Sequence, residues 1–191
     1  MKISNIKYQI SKLILVLGIF LWVASPVFAL TTKKQPTPLP TPTPVKVDYF
    51  LVYPGILPDH FLYPVKMVRD RIWLFLTTDP LRKSETLLLF ADKRLGAGKA
   101  LIEGGKEQLG ISTLTKAEKY LERAIAQEGI ASQKGKETTA FLEKLSAATK
   151  KHEEVLVELQ EKVSEAGKGE IGEILRYSRQ GYEEVRRRLG K

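Results

Sequence analysis

The sequence predicts an all-α protein: about five helices in an antiparallel, bundle-like arrangement, preceded by an extended proline-rich tether and an N-terminal signal sequence. Three observations carry this reading. No proline occurs in the 111 residues after Pro80, where leucine, glutamate, lysine and alanine dominate. Leu81, Leu88, Leu95 and Ile102 recur every seven residues, with Ser84, Ala91 and Gly98 three beyond the first three, a large-small seam that lets a partner helix approach closely. Phe141, Leu145, Ala148, His152, Val155 and Leu159 step by alternating fours and threes, the spacing of one buried helix face.

Composition narrows the function. A chain of 191 residues has room for one domain with appendages. With no cysteine there is no disulfide framework, thiolate nucleophile, zinc-thiolate or iron-sulfur site, or acyl-cysteine anchor. Two histidines leave little for a histidine-rich metal site. Charged residues at 28% and hydrophobics at 43% describe a soluble globular domain.

Residues 1–29 read as an export signal. Lys2, Lys7 and Lys12 precede an uninterrupted apolar run from Leu13 to Val23, and Pro26 breaks the helix before small residues at Val27 and Ala29, so cleavage is expected between Ala29 and Leu30. The uncharged stretch continues to Thr32, long enough for a retained anchor, but Ser25, Pro26 and two threonines argue against that use. Either way the remainder is expected outside the cytoplasm, because the lysines precede the apolar run. Residues 30–47 alternate proline with threonine, a polyproline II or unstructured linker able to hold the helical domain ~50 Å from the membrane or wall.

Residues 48–191 form the helical domain. An apolar, turn-rich strap occupies 48–63, with Pro54-Gly55 suited to the centre of a type II turn. The first helix, 64–78, opens on Pro64 and places Val65, Val68, Ile72 and Phe75 or Leu76 on one face. Asp79 then caps a second helix, 80–103, with Pro80 at its first position, and Gly104-Gly105 ends it. A third helix, 106–127, points Leu114, Ala117, Leu121, Ala124 and Ile125 inward, and Gly129 to Gly135 is expected to break the chain. The fourth spans 136–166. Gly167 to Gly169 leads into a fifth, 170–189, packed through Ile171, Leu175, Ser178, Val185 and Leu189.

Few residues invite a catalytic reading. His152 lies on an apolar stripe with no Glu-x-x-His motif nearby, so it reads as a core imidazole hydrogen-bonded to a neighbour. Asp59 and His60 are adjacent in sequence and point apart in extended chain; with no Gly-x-Ser-x-Gly elbow, turn or capping chemistry fits Asp59 better. Gly96 and Gly98 lack the strand and the Gly-Lys-Ser/Thr of a phosphate loop, which leaves close helix packing. The C-terminal Arg176, Arg179, Arg186, Arg187, Arg188 and Lys191 could meet anionic lipid or wall polymers, although Arg179 to Glu183, Glu183 to Arg187 and Glu184 to Arg188 are i,i+4 pairs. No catalytic, cofactor or metal residues are assigned.

The residues Pro54-Gly55, Pro58-Asp59, Leu62-Tyr63-Pro64 and Asp79-Pro80 carry a resemblance. Over about Tyr53 to Gln160 the chain resembles an uncharacterised family of exported bacterial helical domains, a domain-of-unknown-function family with a proline-glycine, leucine-tyrosine-proline, aspartate-proline signature. The resemblance implies a helical fold and an envelope or extracellular location, and transfers no catalytic residue. The expectation is therefore a non-enzymatic binding or assembly module of the cell envelope, with a protein or envelope partner and membrane contact through the signal or the basic C-terminus. The alternatives are an extracytoplasmic helical protein binding a ligand, a metal or stress products, and an enzyme of unrecognised type. Nucleic acid is not an expected partner, since the +9 charge is held largely by the signal, by Lys33, Lys34 and Lys46 in the tether, and by the C-terminal helix end.

Overall fold

The computed structural model describes residues 48–190; the Ala29–Leu30 junction and the 30–47 tether lie outside the described residues. Five helices follow one another: α1 Tyr63–Leu76, α2 Pro80–Glu103, α3 Glu107–Gln133, α4 Thr139–Gln160 and α5 Glu165–Arg188. No strand occurs among the described residues. The chain before α1 is an extended strap, and Gly55 in it has φ +69°, the left-handed value required at the third residue of a type II turn.

Local chemistry explains the helix ends. Both the hydroxyl and the N–H of Thr77 donate to Trp73 O, at 2.8 and 3.0 Å, and so close α1. The Asp79 carboxylate accepts from Arg82 N–H at 2.9 Å and caps α2. Gly105, at φ +77°, turns the chain toward α3.

Three boundaries differ from the sequence expectation. The third helix passes through Gly129 and ends at Gln133, because one internal glycine costs only about 1 kcal/mol while Ala131 still adds a fully buried residue. A Cβ on Gly129 would lie 2.7 Å from Arg188 Nη1, so the glycine makes room for that side chain. The fourth helix is shorter than 136–166, and the fifth begins at Glu165 instead of 170. Ser164 supplies the cap, its hydroxyl accepting from Gly167 N–H at 3.3 Å. Gly167 is helical and crowded, with Glu107 2.7 Å from a notional Cβ.

Helices α2 to α5 form the bundle. Short connections make α2/α3 and α4/α5 antiparallel hairpins. Ion pairs fix how the hairpins stack: Lys136, just before α4, binds Asp79 at the start of α2 at 2.5 Å, while Lys99 and Glu158 join the other ends of α2 and α4 at 2.7 Å. Ser164 meets Glu107 at one end of α3 and α5, and Arg188 meets Glu128 at the other. Thus α2 runs parallel to α4, and α3 to α5, with neighbours in the order α2, α3, α5, α4 around the ring. Gly98 sits where α2 and α3 touch most closely; a Cβ there would lie 2.5 Å from Leu114 Cδ2 and 3.1 Å from Gly110 O.

Two apolar clusters fill the interior. One gathers Leu87, Leu88, Phe90, Ala91, Leu121, Ala124, Leu145, Ala148 and Val185. The other gathers Leu95, Leu114, Ala117, Val155, Leu156, Leu159, Ile171 and Leu175. Every residue of both lies between Tyr49 and Leu189, so a chain beginning at Asp48 contains the whole core. By Cα proximity α1 packs on α2 alone among the helices.

Candidate functional site: the outward face of α1 and the buried polar layer

Helical periodicity places Val65, Val68, Ile72, Phe75 and Leu76 on one side of α1, and the structure turns that side to solvent. Their exposures are 65, 56, 49, 82 and 68%. Phe61 and Leu62, exposed just ahead of the helix, lead into the same run. The opposite side is the one that meets the protein, through Tyr63, Lys66, Met67, Asp70 and Leu74, of which only Asp70 and Leu74 are fully buried.

This inversion has a local cause. The strap is not part of a sheet, so its carbonyls need donors, and Lys66 Nζ donates to Pro54 O at 2.9 Å and Ile56 O at 3.0 Å. Burial holds the Lys66 amine below the usual lysine value. Asp70, 1% exposed, accepts from Arg69 at 2.8 Å. Arg94 of α2 lies over the Tyr120 ring at 4.0 Å, donates to Phe90 O at 3.1 Å and reaches Met67 Sδ at 3.3 Å. Leu74 joins the apolar core, and Trp73 meets Phe90 edge-on at 5.9 Å. The helix thus meets the bundle through Met67, Trp73 and Leu74 and the strap through Lys66, while most of its apolar surface stays in water.

The second constellation is internal. His152 is fully buried, its Nδ1 2.6 Å from Glu118 Oε1 and its Nε2 3.1 Å from Asp92 Oδ1. Asp92 Oδ2 accepts from the Tyr49 hydroxyl at 2.7 Å. Burial works against a charged imidazole, but the carboxylates of Glu118 and Asp92 outweigh it and raise its pKa to about 9. Both ring nitrogens therefore donate, and His152 is an imidazolium at neutral pH. Burial, then the charge of Asp92, pushes the Tyr49 hydroxyl above its ordinary range. Asp92, Glu118 and His152 sit on α2, α3 and α4 where the two apolar clusters divide, and buried Ser178 marks the same division on α5. The result is a polar layer with one residue from each bundle helix, joined by Tyr49 from the strap.

Among the described residues, those singled out by sequence take the following places. A Cβ on Gly96 would lie 3.5 Å from Pro54 Cδ, so Gly96 faces the strap and Gly98 the neighbouring helix. Asp59 lies in the turn closed by His60 N–H on Leu57 O at 3.1 Å. It binds Lys106 at 2.5 Å, and this contact holds its carboxyl below the usual range. His60 Nδ1 accepts from Leu62 N–H at 3.1 Å, and its ring stacks on Phe61 at 4.7 Å. Pro58, Leu62, Tyr63 and Pro64 shape the entry to α1, and Asp79 and Pro80 shape the start of α2. The C-terminal arginines are paired, though not as the i,i+4 spacing suggested: Arg179 reaches Glu153 at 2.7 Å, Arg187 takes Glu184, and only Arg188 keeps its expected Glu184. Their pairing leaves the basic end a neutralised surface.

A shallow groove of about 580 Å³ between α3 and α5 is lined by Glu118, Glu122, Glu170 and Glu173 with Lys119 and Tyr177. Among the described residues no group of three or more His, Cys, Asp or Glu side chains is placed to hold a metal ion, and no described helix is long and apolar enough to cross a membrane. The outward face of α1, the Glu118 and Asp92 partners of His152, and the Tyr49 hydroxyl on Asp92 were not found from sequence. Periodicity reports that a face is apolar, not which way it points, and pairing across helices leaves no spacing signature.

No curated protein and no solved structure matches the chain. Residues 55–166 do match one family, described as domain of unknown function DUF5667. That span runs from Gly55 at the turn of the strap, through α1 to α4, into the first residues of α5, and takes in every residue of the polar layer except Tyr49 and Ser178. Since it covers more than half of the sequence, the chain belongs to the DUF5667 family.

Proposed function

We propose that the protein is an exported, non-enzymatic docking module of the cell envelope, a helical bundle held on a proline-rich tether. The observation that carries this reading is the reversed orientation of α1, which hides Asp70 and presents Val65, Val68, Ile72, Phe75 and Leu76. Contiguous exposed apolar surface of this kind marks an interaction site. The export signal read in residues 1–29 supports a location outside the cytoplasm. The two histidines, the residue type most suited to general acid-base work, are supportive in a different way: His152 is closed off in the core and saturated by two carboxylates, and His60 is engaged by Leu62 N–H and the Phe61 ring.

Site-specific photocrosslinking in intact cells tests the proposal. A benzophenone side chain at position 75 is expected to capture an envelope component, and the same probe at exposed position 143 on α4 is not. Equal capture at the two positions, or none at 75, would reject the docking face. A second reading, a binder of cationic ligands, is favoured by the glutamate-lined α3/α5 groove; it requires a gain in melting temperature with a cationic ligand that disappears in Glu122→Gln/Glu173→Gln.

A further inference from the structure

We infer that the occupant of the α1 face is an anionic lipid surface, with α1 lying in the plane of the interface. This rests on the docking reading above and names what docks. Three observations select lipid. The first is charge. α1 sets Arg69 and Arg71 at the edges of the apolar face, its single acid, Asp70, is buried against Arg69, and Lys66 is turned to the strap carbonyls, so the exposed charges that α1 itself places beside that face are basic. An anionic headgroup layer complements such a rim. A second copy of the chain would not, because a symmetric pairing sets the same patch against itself and brings like charges together.

The second observation is size. α1 has 14 residues, ~21 Å of helix, and no described helix can cross a membrane. A short helix with one apolar side and a basic margin is shaped to lie on a bilayer and sink that side to the acyl boundary. The third is residue type. Phe61, Trp73 and Phe75, all substantially exposed, are the bulky aromatics that settle at the interface. A groove made for one protein helix would bury such side chains in pockets, whereas Phe75 stands out from the convex surface of α1 and Phe61 from the chain just ahead of it.

The test uses a chain beginning at Asp48, which contains the whole core and in which Trp73 is the sole tryptophan. Flotation with vesicles of phosphatidylcholine alone and with added phosphatidylglycerol measures partitioning. Trp73 emission with acyl-brominated lipid reports burial of the face. Partitioning onto the anionic vesicles, with quenching by bromolipid, is expected, and little on the neutral ones. Arg71→Gln is expected to weaken partitioning about fivefold, from ~1 kcal/mol for one basic residue at an anionic surface. Ile72→Glu/Phe75→Glu is expected to abolish it with an unchanged circular dichroism spectrum and melting temperature, since both positions face water.

Vesicle binding that survives Ile72→Glu/Phe75→Glu would overturn the inference. So would equal binding to neutral and anionic vesicles. Absence of vesicle binding together with a dimer that the same double variant dissolves would overturn lipid as the occupant and leave the docking face standing. Absence of both, with no capture at position 75 in cells, would overturn the inference and the docking reading together.

Discussion

His152 shows how a buried charge can be both stabilising and demanding. Its pKa of about 9 in the fold lies above the ~6.5 of an unfolded histidine, so the native state holds the proton more tightly. The stabilisation is complete below pH ~6.5 and is lost as pH rises through 9, about 3 kcal/mol over that window. Urea unfolding at pH 6 and pH 9.5 is expected to show that loss, and His152→Leu is expected to flatten it. The same substitution leaves Asp92 and Glu118 buried without their cation and is expected to cost about 3–5 kcal/mol at pH 6. Replacing all three residues with leucine is expected to recover most of that deficit, because no unpaired charge is then buried. Tyr49→Phe removes one hydrogen bond to a charged group and is expected to cost about 1.5–3 kcal/mol. It should also loosen the strap, read as faster amide exchange at residues 49–56 with little change in α4.

Among the elements, the two glycines of α2 separate two kinds of contact that look alike in sequence. Gly98→Ala would force a Cβ to within 2.5 Å of Leu114 and is expected to cost about 1–3 kcal/mol of stability, read as a lower urea midpoint. Gly96→Ala meets Pro54 at an ordinary 3.5 Å and is expected to be neutral or to stabilise by up to ~1 kcal/mol through helix propensity. The same pair illustrates what sequence made legible. The seven-residue seam of α2 and the four-three stripe of α4 identified one buried face of each helix, because periodicity is a direct record of which residues share a face, and missed the flanking Leu87, Phe90, Leu101, Leu142 and Leu156. The glycine-rich breaks were less readable. Gly105 and Gly135, with φ +77° and +74°, do end helices, while Gly129 and Gly167 sit inside helices to admit Arg188 and Glu107. Close approach and chain reversal select the same residue, and only the three-dimensional neighbour tells them apart. Ser164 was the available signal for the start of α5, outweighed by the glycines that come after it. The candidate docking face was half legible: its residues were grouped correctly, but its direction depends on Lys66 finding the strap carbonyls and on Met67, Trp73 and Leu74 meeting α2 and the core.

At the scale of the whole molecule, the bundle and α1 are expected to respond independently. Leu145→Glu, at a position with no exposure, should unfold the domain, whereas Ile72→Glu/Phe75→Glu should leave melting unchanged and alter only the surface to which the protein adheres; differential scanning calorimetry of the two variants separates these outcomes. The polar layer adds a constraint on assembly. The α2/α3 hairpin contributes two acids, Asp92 and Glu118, and the α4/α5 hairpin contributes the cation between them. Each hairpin alone is therefore an unfinished electrostatic half. Two copies of the first would trap four carboxylates with no counter-charge, and two copies of the second would trap a pair of imidazoles with no acid to receive their protons. Only unlike halves close properly, and sliding one past the other by a helical turn would set His152 among leucines. A single histidine thereby gives the molecule a means of telling its own second half from a neighbour's first, which matters for chains crowded together on a common surface.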